Sequence, residues 1–168
     1  KGTMDIVIND VSPDIVWQLR EDRGLQTVAA PGVDYQYLGV NLLDPRLGDR
    51  RVRQALASAI DRQAIAAYLR RGLADTSTGM LPSFSWAFAA DTPDIPYNPA
   101  RAAQLLDEAG FRDPDGTGPR PRFTLTLKVS NTEFNRLQSA VIQADFRRVG
   151  VDLDVWTYEF ATLYADVL

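Results

Sequence analysis

Asp152 and Asp154 stand two residues apart in the alternating run V-D-L-D-V-W-T-Y, so a strand here projects both carboxylates from one face. Two carboxyl groups converging on a substrate are the acid and base of glycoside hydrolysis. The same spacing also suits the polar face of a half-buried strand, since Val151, Leu153, Val155 and Thr157 occupy the other face. Asp107 and Glu108 form a second acidic pair, near the end of a helical stretch. Asp113-x-Asp115-Gly116 has the opening of a calcium loop but no glutamate at the twelfth position, and a helix-to-strand turn accounts for it. Arg50, Arg51 and Arg53 concentrate positive charge, yet no glycine-rich loop precedes them; they read as the solvated side of an amphipathic helix.

Two other places offer neutral hydrogen-bonding and aromatic groups. Tyr35 and Tyr37, next to Asp34, project from one face of a stretch that follows a Pro31-Gly32 turn. They serve either as sheet packing or as ligand contacts. Asn131 and Thr132 lie where a strand gives way to a helix, the end of an α/β sheet at which ligands bind, and helix capping uses the same residue types. Phe84, Trp86 and Phe88 fall in a long aperiodic stretch, where they either form a ligand platform or anchor the loop; anchoring is the expectation, because ordering a long loop needs apolar contacts.

Composition removes many alternatives. The 168 residues contain no Cys and no His, which excludes thiol nucleophiles, histidine bases, Ser-His-Asp triads and the usual zinc ligands. A net charge of −4 argues against nucleic acid or an anionic membrane as partner. With 45% hydrophobic and 24% charged residues the chain is of ordinary globular composition and about one domain long. No apolar run approaches the ~20 residues of a membrane span. Lys1-Gly2 reads as a cut end, which would place any export signal upstream.

The elements that must position these residues follow from periodicity. Residues 49–62, D-R-R-V-R-Q-A-L-A-S-A-I-D-R, carry an N-cap at Asp49 and a stripe of Val52, Ala55, Leu56, Ala59 and Ile60. Asp61 is placed to cap a second helix through Ile65, Tyr68 and Leu69 that stops near Gly72. Short strands are expected at residues 4–9, 25–30 and 35–43, and a helix from Ser12-Pro13 to Gly24. Residues 74–97 lack periodicity. Asn98-Pro99 opens a helix closed by Gly110, residues 123–129 alternate as a strand, and Asn131 or Thr132 caps a long helix ending at Gly150. Residues 151–158 form the strictest strand and residues 160–167 a last helix. Alternating strands and helices predict an α/β fold, a mixed β-sheet flanked by helices.

Three blocks in this order, Y-L-G-V-N with D-x-R-V-R-Q-A-L-x-x-A-I-D-R (37–41, 49–62), Y-N-P-A-R-A-A-Q-L-L-D-E-A-G-F (97–111) and R-V-G-V-D-L-D-V (148–155), resemble the family 5 extracellular solute-binding proteins of peptide- and nickel-type ABC importers. Arg46-Leu47 departs from the Pro-Phe of many relatives, in a loop. The resemblance implies one lobe, residues 1–168, of a two-lobed type II periplasmic-binding-protein-like fold. It begins at the hinge strand Gly2, Met4, Asp5 and ends before the returning hinge strand, which in peptide-binding relatives carries the aspartate that meets the ligand's amino group. It implies further a binding protein rather than an enzyme, with no cofactor and no metal. The small solute, a peptide or similar, would be held between Asp34, Tyr35, Tyr37, Asn131 and Thr132 and the first lobe. The protein would be an exported monomer, periplasmic or extracellular with a lipid anchor as one option, delivering its ligand to a membrane ABC permease, and the lobe alone would bind peptide negligibly. A carboxylate-dependent hydrolase and a protein-interaction domain built on the same lobe are the alternatives.

Overall fold

The computed structural model describes residues 5–8, 11–116 and 118–167, and the chain divides into two compact bodies: Lys1–Tyr35 with Gln63–Ala90, and Gln36–Arg62 with Asp91–Leu168. Every buried apolar residue among those described belongs to the second body.

In the first body, helix α1 (Pro13–Glu21) starts as its sequence requires, with Ser12 extended and proline at the first helical position, whose missing N–H costs nothing there. The Ser12 hydroxyl makes no capping bond. The helix stops before Gly24, because Asp22 turns extended and its carboxylate takes the Gly24 N–H at 2.8 Å. Residues 5–8 and 25–35 form no strand, and Ile6 and Ile8 are largely exposed. The buried strand expected at 4–9 is thus absent from its described part, Met4 and Asn9 lying outside the described residues. A strand is stabilised by its ladder, and these segments have none. Phe84 and Trp86 are exposed, Trp86 at 98%, so the anchoring expected of the loop aromatics fails for both; Phe88 alone is half-buried.

Helix α2 (Arg50–Ala59), in the second body, follows the expected pattern closely. Asp49 accepts the Arg51 N–H at 2.8 Å, Val52, Ala55, Leu56 and Ala59 are buried, and Ile60 turns extended to end it. The next helix is one α turn, α3 (Arg62–Ala64), continuing as a π-helical segment, Ile65–Leu69. It ends where Arg71 and Gly72 take positive φ, near the expected stop, although Tyr68 faces solvent rather than a core. Helix α4 (Pro99–Glu108) is capped by Asn98, which accepts the Arg101 N–H at 2.9 Å, and it packs on α2 through Ala102, Leu105 and Leu106. Arg51 donates to the Glu108 carbonyl at 2.6 Å, one of the carbonyls a helix end leaves unpaired, and Arg53 reaches the Leu47 and Gly48 carbonyls at 2.8 and 2.9 Å. Arg50 and Arg51 are exposed, as a solvated face requires, while Arg51 and the half-buried Arg53 also tie down main-chain carbonyls.

Strands β1 (Phe123–Ser130) and β2 (Val151–Tyr158) pair in parallel from Phe123↔Val151 to Ser130↔Tyr158. Helix α5 (Glu133–Arg147) connects them and packs on both, with Ile142 and Phe146 buried. Helix α6 (Phe160–Val167) leans on β1, where Lys128 pairs with Asp166. The α/β class holds, with helices flanking a sheet. Among the described residues that sheet has two parallel strands, and residues 35–43 pass without joining it, so the antiparallel members expected of a mixed sheet are not present.

Candidate functional site

The C-terminal end of β1 runs directly into α5, and this junction gathers polar groups. Asn131 donates its N–H to the Tyr158 carbonyl at 2.8 Å, which extends the strand pairing by one residue. Thr132 is extended, and its hydroxyl accepts the Asn135 N–H at 3.2 Å as the helix N-cap. Both residues are exposed, so their remaining valences face solvent. Glu133 adds a carboxylate to the first turn, where the helix dipole favours it. Capping, the alternative account of this turn, is thus fulfilled by Thr132, while Asn131 keeps its side chain free of that duty.

Sequence reasoning missed the residue at the centre. Asn135 donates from Nδ2 to Ser130 Oγ at 2.6 Å and accepts at Oδ1 from Gln36 Nε2 at 3.3 Å. Its main-chain carbonyl accepts from Ser139 Oγ at 2.7 Å. Ser130 and Ser139 are buried, and Asn135 is half-buried. Gln36 is the neighbour of Tyr37, so this relay fastens the tyrosine-bearing segment to the end of β1. Tyr37 is 71% exposed, and its ring approaches Gly39, where a Cβ would stand 3.7 Å from Cε2. Tyr37, Asn131 and Thr132 therefore share one body, with Thr132 bonded to Asn135 and Tyr37 and Asn131 next in sequence to other members of the relay. Asp34 and Tyr35 belong to the first body, both exposed. There the Asp34 charge supports the Arg70 guanidinium, whose pKa burial pushes down. A groove of about 750 Å³ in the first body is lined by Asp14, Trp17, Gln18, Ala67 and Arg71, and none of the five expected residues lines it.

The far end of the same segment is fastened as well. Arg46 holds Asp44 through Nε at 2.9 Å and through a second, parallel contact. It donates from Nη1 to the Thr124 carbonyl at 2.6 Å and lies 5.8 Å from the Phe123 ring centre. Arg46 thus clamps residues 44–46 to β1. Its hydrogen bond holds the Asp44 carboxyl down from the ordinary 3.8 to about 2. A depressed carboxyl pKa stabilises the fold in full above the unfolded value, and that contribution is lost as pH falls from about 4 through about 2. Carbon NMR of the Asp44 carboxyl should titrate near 2 in the parent chain and return toward the ordinary range in Arg46→Gln.

The acidic pairs are accounted for structurally. Asp152 pairs with Arg147 at 3.3 Å, and Asp154 is exposed on the polar side of β2. Glu108 pairs with Arg101 at 2.8 Å, and Asp107 with Arg122. Asp113 Oδ1 accepts from the Asp115 and Gly116 N–H groups, and Gly116 has φ +72, as a tight turn requires. Among the described residues no group of three or more acidic, His or Cys side chains is placed to hold a metal ion, and no helix is long and apolar enough to cross a membrane. The junction offers amide and hydroxyl groups with exposed tyrosine, a chemistry of hydrogen bonding and stacking.

The sequence profile of the bacterial extracellular solute-binding proteins, family 5 Middle, matches residues 1–168. Heme-binding protein A of Haemophilus influenzae is 29% identical over 160 residues, 95% of this chain and 28% of that protein. The dipeptide-binding protein of Escherichia coli K12 is 29% identical over 154 residues, 89% of this chain and 27% of that protein. In three dimensions, NikZ from Campylobacter jejuni in complex with Ni(L-His) is similar over 90% of this chain and 31% of that chain, with a TM-score of 0.76 and 26% identity. The chain spans less than a third of the length of each.

Proposed function

Because this chain belongs to the bacterial extracellular solute-binding proteins of family 5, we propose that residues 1–168 form one ligand-binding lobe of a two-lobed receptor that captures a small solute and hands it to an ABC permease. The observation that carries this reading is the match over all 168 residues together with a polar, open array at the end of the parallel strands. Ligands of α/β proteins bind at that end of the sheet, where loops and a helix start converge. Tyr37, Asn131 and Thr132 would supply stacking and hydrogen bonds from the second body. Ligand bridging two lobes would stabilise a closed form by hinge motion, and the closed form would be what the permease recognises. The protein would act outside the cytoplasmic membrane, as a monomer.

A peptide or similar solute suits neutral amide and hydroxyl donors better than a chelated metal does. The relatives differ in ligand by their names, heme and dipeptide among them, so the solute is read from this chain's own groups. The hydrolase alternative draws no support from Asp152 and Asp154, one ion-paired and the other on an open face.

Calorimetry on the full-length protein with the dipeptide Ala-Ala and with longer alanine peptides tests the reading. Micromolar or tighter binding is expected for at least one peptide, with Tyr37→Ala losing roughly tenfold, the scale of one aromatic contact at an interface. The 168-residue chain alone is expected to bind none measurably. Sub-micromolar binding by the chain alone, or a Tyr37→Ala protein with unchanged affinity, would contradict the half-site reading.

A further inference from the structure

Asn135 occupies the third position of α5, and what its side chain does there is unusual for that position. After a threonine N-cap, the third helical residue commonly folds its side chain back to the cap's own N–H and closes a reciprocal box. Asn135 does not make that bond. It reaches out of the helix to Ser130 Oγ at 2.6 Å and takes the Gln36 amide at 3.3 Å, a partner 99 residues away in sequence. Its backbone N–H goes to Thr132 and its backbone carbonyl takes the Ser139 hydroxyl, so all four polar groups of one residue are committed. A local preference set aside for long-range bonds marks a position whose task lies beyond helix stability.

We infer that Asn135 is a positioning residue: through Gln36 it holds Tyr37, and through Thr132 it holds the turn at the end of β1, in one fixed arrangement. The relay has a direction. Ser130 is buried at the β1 end, Asn135 half-buried in the middle, and Gln36 exposed at the outer end. A rigid anchor in the core is thereby extended to a segment that has no strand ladder of its own. Side chains tie this segment at both ends, with Arg46 fastening the far one. That Tyr37 and Thr132 face a ligand rests on the function proposed above; the positioning itself does not.

The test separates the two. Steady-state ¹H–¹⁵N NOE values of the Gln36, Tyr37 and Leu38 amides, measured in the 168-residue chain without ligand, report order in this segment alone. In Asn135→Leu these values are expected to fall by at least a third, while those of α2 and α4 stay as they were. Gln36→Leu should produce the same fall, and the double variant should add little to either. Asn135→Asp should restore the parent values, since a carboxylate accepts from Gln36 and the Ser130 hydroxyl can rotate to donate to it. A Tyr37 amide as ordered in Gln36→Leu as in the parent would overturn the inference, and this variant lies at the exposed end, where it does not disturb the core. Equal losses in Asn135→Leu and Asn135→Asp would also overturn it, by pointing to packing rather than hydrogen bonding. If order falls as expected but Tyr37→Ala leaves peptide affinity unchanged in the full-length protein, the relay stands and the ligand reading fails.

Discussion

Replacing Arg122 by leucine is expected to destabilise the chain by about 3 kcal/mol, seen as a lower urea midpoint with an unchanged m-value. The Arg122 side chain is 5% exposed, and it ties three things together: the Asp107 carboxylate at the end of α4, the Phe111 carbonyl at 2.6 Å, and the Asp113 carboxylate at 3.9 Å. Its own N–H donates to the Gly150 carbonyl at 2.7 Å where β1 begins. Breaking a buried charged pair costs about 3–5 kcal/mol, and the low end applies here because Asp107 is half exposed and can rehydrate. Phe111 cannot do so as well, and its carbonyl is left without its charged donor. Gly150 belongs to the same design. It has φ +77, and a Cβ there would stand 3.0 Å from Arg122 Nε and 3.2 Å from Cγ, so the turn into β2 leaves room for the guanidinium only if it carries no side chain. A leucine variant as stable as the parent would show that this buried cation is tolerated rather than needed.

Asp145→Leu is expected to cost about 2–3 kcal/mol, the scale of charged hydrogen bonds lost from a buried acceptor. Asp145 lies on α5 with its side chain 4% exposed, where it pairs with Arg148 at 2.8 Å and accepts the Asp61 backbone N–H at 3.1 Å. The second bond matters more. Arg148 is 60% exposed, and water and the Tyr97 hydroxyl can take over its donors. The Asp61 N–H sits just past the end of α2, where Ile60 has turned extended, and Asp145 fixes that break against α5. The unfolding midpoint of the variant should drop by about 10 °C, at roughly 4–5 °C per kcal/mol for a cooperative unit of about 105 residues. Arg148→Ala is the control: a loss comparable to that of Asp145→Leu would assign the effect to the ion pair instead of the break in the helix.

Helices were legible because their signals are local. Asp49, Asn98 and Thr132 announce their helices within three residues, and the stripes through Val52 to Ala59 and Ala102 to Leu106 identify the faces that become buried. Strands β1 and β2 were legible from alternation, and each found a partner. Residues 4–9, 25–30 and 35–43 have the composition of strands, but strand formation is a property of pairs, and among the described residues these stretches have no partner. Sequence cannot say that the guanidinium of exposed Arg51 will also reach the Glu108 carbonyl at the end of α4, or that of Arg53 the Leu47 carbonyl in the loop before α2. At the candidate site, Asn131 and Thr132 were singled out by their place at a strand end, and Tyr37 by an expected strand face that does not form. Asn135, Gln36 and Ser130 were not, since the bond that joins them spans most of the chain. Asn in place of the expected Glu or Gln three residues after a threonine cap was the one local sign.

The buried residues among those described all lie in the second body, whose two stretches, 36–62 and 91–168, make up about 105 of the 168 residues. Heat and denaturant act on whatever melts as a unit, and a segment without a core has little cooperative enthalpy to contribute. The calorimetric unit is therefore the second body: at ~0.7 kcal/mol per residue near 60 °C, its unfolding heat is on the order of 75 kcal/mol rather than the ~115 that the full length would give. Stabilities measured for Arg122 and Asp145 variants belong to that unit.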